Sequence, residues 1–183
     1  MRQVSDAFLL NMAEVSAALV GLFLVGIFLY VESGFRRSDP AHEALERYFR
    51  AGTRIVLILY AIPLGLSLAL VVLEPAWTRV LFVLLSLLLL AANVDTAVRI
   101  RGVSKVTGST TFLVNEVVGT VGVLALVAIP WVLGGLHPTR EDLTWAILLS
   151  FAMGFLSVCA LVLSIFDIAR FEAATRPGGE GQS

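Results

Sequence analysis

The sequence has little of what a soluble domain displays at its surface. Charged residues make up 15% of its 183 positions, against about 25% in soluble domains, and lysine occurs once beside 12 arginines. A single cysteine, Cys159, excludes an intrachain disulfide framework and has no Cys or His partner at ligand spacing. Amid Ser157, Val158 and Ala160 it reads as a small buried apolar residue. The net charge of -1, from 13 Lys+Arg against 14 Asp+Glu, excludes the bulk basic character of a nucleic-acid binder. The 2 histidines, His42 and His137, fall on opposite sides of the threading derived below, so they share no metal and complete no catalytic pair. No nucleophile, base and orienting group come together, and we expect neither an enzyme nor a cofactor. Gly102 to Thr110 resembles a phosphate loop in composition only, since its Lys105 does not follow the second Gly and no strand precedes it.

What the sequence does have is apolar length: 58% of residues are hydrophobic and the mean hydropathy is +0.91. A helix needs roughly 20 apolar residues to cross the hydrocarbon core, and five runs approach that length, at 7–31, 55–73, 77–97, 112–133 and 143–166. The runs are continuous, as in Leu81-Phe82-Val83-Leu84-Leu85, and do not alternate as barrel strands would. The first is too long for a cleavable signal peptide and reads as a retained span. We therefore expect an all-α fold: a polytopic membrane bundle of five transmembrane helices forming one domain over 1–170, with a flexible tail over 171–183.

Lys and Arg accumulate in cytoplasmic loops. Five crossings leave Arg2, Arg79 and Arg140 on one side and the other 10 of the 13 cationic residues on the other, which predicts the N terminus outside and the C terminus in the cytoplasm. Trp77, Trp131 and Trp145 all fall at the outer interface on this threading, where indoles favour the headgroup level. The connections are too short to fold, so any chemistry belongs to the spans or their ends. The longest, Glu32 to Arg54, is expected to hold a short interfacial helix at about 39–51, with Asp39 as N-cap and Pro40 at the first helical position. Arg36, Arg37, Arg47 and Arg50 are its candidate contacts to anionic lipid, although Glu43 with Arg47 and Glu46 with Arg50 pair internally at i,i+4.

Polar groups within spans are costly and each raises a question of role. Asn11 and Glu14 lie in the first span and Asn115, Glu116 and Thr120 in the fourth, and these five are the candidate intramembrane polar path. Helical spacing puts each glutamate on a face of small residues, with Ala13, Ala17 and Gly21 as a ladder in the first span and Gly119 in the fourth. Such faces let backbones approach closely, so Glu14 is expected to face protein or water. A carboxyl group held away from water keeps its proton and can relay it. Glu14 lies about 5 to 11 Å inside the first span, depending on where that span starts, and Glu116 about 9 Å inside the fourth from the other side. The two cannot form one site within a chain. Asp95 is expected to pair with Arg99 at i,i+4, with Arg54 as a second cation for Asp95 or Glu116. Pro63 with Gly65, and Pro130, mark points where helices kink or release a carbonyl.

Two functions fit. One is an oligomeric ion or proton channel or small transporter whose path the carboxylates line; the other is an accessory subunit of a larger membrane complex. Both need neighbours, either further copies of the chain or partner membrane subunits, within a lipid bilayer. The location expected is a cell membrane, the cytoplasmic membrane of a bacterium. A match between 14–27 and 116–129 hints at an inverted repeat, though in a Leu/Val-rich alphabet such matches are cheap.

Overall fold

A computed structural model describes residues 4–32, 40–107 and 110–175, and side chains over 4–29, 32, 50–98 and 117–163. Every element among the described residues is a helix: α1 (Asp6–Glu32), α2 (Pro40–Val72), α3 (Pro75–Thr107), α4 (Thr110–Gly134) and α5 (Arg140–Thr175). All five contain a stretch long and apolar enough to cross a membrane, which is consistent with a multi-pass membrane protein.

Short connections set the topology. Two residues, Leu73 and Glu74, join α2 to α3, so the pair must run antiparallel as neighbours. Thr78 seals this turn, its hydroxyl reaching the carbonyls of Ala69 at 3.2 Å and Glu74 at 3.3 Å. Between α4 and α5 the chain reverses through Gly135, whose φ of 60° places it in the left-handed region that a side chain would strain. A capping box then starts α5: Asp142 Oδ2 accepts from Thr139 N at 2.7 Å while Thr139 Oγ1 accepts from Asp142 N at 3.4 Å. Helix α1 starts the same way, with Ser5 Oγ accepting from Phe8 N at 3.2 Å.

Helix α2 packs on α1, α3 and α5, and α4 packs on α3 and α5. The last four helices thus close a ring, and α1 leans on α2 from outside it. The middle of the ring is filled by Leu59, Ile62, Leu66, Phe82, Leu126 and Ile147, all fully buried, with Phe82 against Trp131 at a ring separation of 6.3 Å. Around this core the usual soluble pattern is reversed. Leu22, Phe28 and Phe155 are 70%, 72% and 65% exposed, while Ser16, Ser67, Ser86, Asn93, Thr96 and Ser150 are buried. An apolar exterior around hydroxyl and amide groups is the distribution that a hydrocarbon solvent favours.

One polar feature of this packing follows from a single residue. Pro63 has no N–H, so within α2 the carbonyl four residues back, that of Leu59, loses its helical partner. Ser150 of α5 donates its hydroxyl to that oxygen, and Ser16 of α1 donates to the next carbonyl, that of Tyr60. Both bonds are buried, so the break in α2 is where both neighbouring helices are fastened. Gly154 lets α5 come close here, since a Cβ on it would stand 2.8 Å from Tyr60 Cε1. Replacing Ser150 by Ala leaves a buried carbonyl unpaired and is expected to cost about 1 to 2 kcal/mol in denaturant unfolding of the lipid-embedded protein. In a Pro63→Ala background the restored N–H can serve Leu59 and the same change is expected to cost less; strictly additive losses would refute this account of the bond.

Two expected boundaries shift. The short interfacial helix at 39–51 is not separate, because α2 runs unbroken from Pro40 into the span. Pro40 does stand at the first helical position, no further proline occurs before Pro63, and α2 runs through Gly52 without interruption. Likewise α5 extends to Thr175, into the segment expected to be tail, because Glu172, Ala173 and Ala174 favour helix and the first breaker is Pro177. The 14–27 and 116–129 segments occupy unlike places, one outside the ring and one within it.

Candidate functional site

The polar groups fall into two clusters and an ion-paired cap at each end. At the first end Arg140 of α5 pairs with Asp6 of α1, tying the two N-termini side by side. Nearby, Arg79 donates from Nη1 to His137 Nδ1 at 2.7 Å and from Nε to the Pro75 carbonyl at 3.0 Å. At the opposite end Arg54 of α2 stands 3.8 Å from Asp95 of α3, with both side chains partly in solvent. These rows of charge lie at the levels where the apolar stretches begin and end, and mark the two faces of the bundle.

The first cluster is inside the ring near the Arg54 end. Asn93 of α3 is buried and donates from Nδ2 to Thr120 Oγ1 of α4 at 3.3 Å. One turn further along α3, Thr96 is buried and donates to the carbonyl of Ala92 at 2.9 Å, so its oxygen can still accept. Asn93 and Thr96 border a cavity of about 60 Å³ between α2, α3, α4 and α5. Gly52 and Gly119 lie along its walls, and Leu59, Val123 and Met153 close it toward the middle of the bundle. Thr120 is thereby joined to Asn93 across two helices.

The second cluster is on the outside. Asn11 and Glu14 are exposed, and so are Ala18, Gly21 and Val25, which continue the same face of α1. The face of α1 that packs on the bundle is instead Leu9, Ala13 and Ser16, all buried, followed by Leu19, Val20 and Phe23. The expected small-residue ladder is therefore split. Ala13 packs within the chain, while Ala17 and Gly21 do not, and a Cβ on Gly21 meets no atom within 4 Å. Successive i+4 steps rotate by about 40° around a helix, so the two steps from Ala13 to Gly21 drift off a contact that follows a spacing nearer 3.5.

Of the five residues expected to form one polar path, Asn11 and Glu14 stand on the outer face of α1 and Thr120 stands in the ring, so they do not converge within the chain. The side chains of Asn115, Glu116, Arg47 and Arg99 lie outside the described residues, as do Arg36 and Arg37 entirely. Arg50 is exposed at the Arg54 end and makes a contact of its own. Among the described residues no group of three His, Cys, Asp or Glu side chains converges as a metal site. Sequence reading overlooked Ser16 and Ser150, because a serine in an apolar run looks like any small residue. The available signal was Pro63, which implies an orphaned carbonyl at Leu59 and hence a donor nearby. Compared with known proteins, the chain shows no significant match to any family model, curated protein or solved structure.

Proposed function

We propose that this protein is a subunit of a membrane assembly, joined to its neighbours through the outward face of α1. The observation that carries this reading is the position of Glu14. It stands eight residues from Asp6, about 12 Å along the helix, and its own chain leaves it exposed. In hydrocarbon a carboxylate costs about 2.5 to 3.5 kcal/mol by insertion scales, a penalty removed when another polypeptide covers it with hydrogen-bonding groups. Asn11 lies on the same face one turn away, and Ala18 and Gly21 continue it with room for a close backbone approach. The 10-to-3 bias of cationic residues supports placing the Arg54 end in the cytoplasm, in the cytoplasmic membrane of a bacterium.

Transport is the second reading, and the ionisable character of Glu14 favours it. The ring itself is filled at mid-depth by Leu66, Phe82, Leu126 and Ile147, so a route for protons or cations would run between chains, past Glu14. Asn115 and Glu116 remain candidates for its other end.

The test of the assembly is to extract the protein with its native lipids and without detergent, and to weigh the particles. Complexes of two or more chains, or of this chain with a stoichiometric membrane partner, are expected; single chains throughout would refute the proposal. Proton and cation flux into liposomes, wild type beside Glu14→Gln, then separates the readings. Flux lost in the variant makes the assembly a conductor, and absence of flux in the wild type leaves it an accessory subunit.

A further inference from the structure

The cavity beside Asn93 is too polar for a packing defect. An empty void in an apolar bundle is lined by hydrocarbon alone, whereas Asn93, Thr96 and Ser157 border this one beside its apolar residues, with Thr120 bonded to Asn93. Its size is also specific. Each water needs about 10 to 15 Å³ of such space, so about 60 Å³ holds roughly four to six waters, or one molecule with a similar number of non-hydrogen atoms.

Its position sets it beside one face of the bundle. Gly52 lies between Arg50 and Arg54 in sequence, and Thr96 follows Asp95, so the rim is level with the charged residues of that end. From Gly52 to Leu59 the cavity extends about 10 Å along α2, ending against Leu59, Val123 and Met153. It is a blind chamber: the fully buried Ile62, Leu66, Phe82 and Leu126 lie beyond.

The chemistry of the lining selects an occupant. Asn93 gives one amide hydrogen to Thr120, keeping a second hydrogen to donate and Oδ1 to accept. Thr96, having donated to Ala92, can accept, and Ser157 adds a hydroxyl that both donates and accepts. Among the described lining residues none is ionisable, and the nearest charges on α2 and α3, Arg54 and Asp95, face each other. Among the described residues a bare cation would meet no counter-charge, and an apolar molecule would leave the second amide hydrogen and Oδ1 of Asn93 unpaired; an uncharged hydrogen-bonding molecule meets neither penalty.

We propose that this chamber is a binding site, entered from the Arg54 end, for a small uncharged molecule that both donates and accepts hydrogen bonds. The site is independent of the α1 face and of whether the chain assembles.

Formamide serves as the probe. In the full chain carrying Cys159→Ala, Thr96→Cys and Ser157→Cys each place a thiol at the chamber wall. A small hydrophilic methanethiosulfonate is expected to modify both from the Arg54 side, because water there allows the reactive thiolate to form. Formamide is expected to slow both reactions several-fold, while equal concentrations of sodium or potassium chloride leave them unchanged. A Ser86→Cys control, deeper in the bundle, is expected to stay unreacted. No modification at either position would show a dry void, slowing by salt rather than by formamide would show a cation site, and modification that formamide leaves untouched would show water alone. Each of the three overturns the proposal. Should the cysteine variants misfold, exchange of the Asn93 side-chain amide into D₂O in the unaltered protein gives the same answer. Fast exchange slowed by formamide is expected; slow exchange, or fast exchange that formamide does not change, would refute the site.

Discussion

Replacing Gly154 by leucine is expected to prevent stable closure of the bundle. The Cβ alone would stand 2.8 Å from Tyr60 Cε1, 3.0 Å from Cζ and 3.2 Å from Cδ1, and the rest of the side chain must follow it into the same space. The tyrosine ring is held on two sides. It is buried, it lies 6.3 Å from the Phe151 ring, and the backbone of Tyr60 is fixed by the bond from Ser16. Overpacking typically costs 1 to 3 kcal/mol, and a whole isobutyl group set against a ring pinned on two sides belongs at or above the upper limit, about 3 kcal/mol. That is a large share of the 5 to 15 kcal/mol typical of a folded domain. The measurement is denaturant unfolding in lipid discs, with Gly26→Leu as control, since a Cβ at Gly26 meets nothing within 4 Å. If the two leucine variants melt alike, Gly154 has no packing role. Adding Tyr60→Ala to Gly154→Leu frees the space and is expected to recover part of the loss, a coupling that independent sites do not show.

The second large effect is expected on assembly rather than folding. Gly21→Leu puts a bulky side chain where the chain itself has no atom within 4 Å, so the melting transition of the isolated chain stays where it was. Across the proposed interface the same side chain separates two helices that would otherwise touch, and the particles are expected to fall apart into single chains. Glu14→Leu tests the polar half of that face. Interhelical hydrogen bonds in membranes average about 0.6 kcal/mol and reach about 1.7, so association is expected to weaken about three- to twentyfold. Fluorescence transfer between labelled chains diluted in lipid measures both. Association unchanged in Gly21→Leu would remove this face of α1 as the contact.

Much of the fold was legible because the signals were long. Five apolar runs, each about as long as a bilayer is thick, dictate five helices whatever their neighbours do, and the two-residue turn at Leu73 and Glu74 dictates an antiparallel pair. The site was legible only in part. Asn93 and Thr120 are both visible as polar residues in apolar runs, but 27 residues separate them and periodicity within one helix says nothing about which helix it meets. The ladder through Ala13, Ala17 and Gly21 misled for a related reason. Small residues at a spacing of four describe a ridge that some helix can use, and here the chain's own α2 takes only its first step while the remainder points outward. Ring closure by α5 left only half a trace in the pattern, since Pro63 marks the released carbonyl but nothing marks which serine far along the chain returns to it.

That last feature sets a timetable for biosynthesis. Ser16 precedes the Tyr60 carbonyl by 44 residues, so its acceptor follows it from the ribosome, whereas the Leu59 carbonyl must await a donor 91 residues downstream. At about 5 to 20 residues per second the wait is about 5 to 18 seconds. Throughout it a half-built chain threaded into lipid carries an unmet backbone acceptor at mid-bilayer depth, a state that hydrocarbon penalises and that a hydrated insertion machine can shelter. The proline that fastens the finished bundle is therefore also expected to make a membrane-inserting nascent chain dependent on such shelter until the fifth helix arrives.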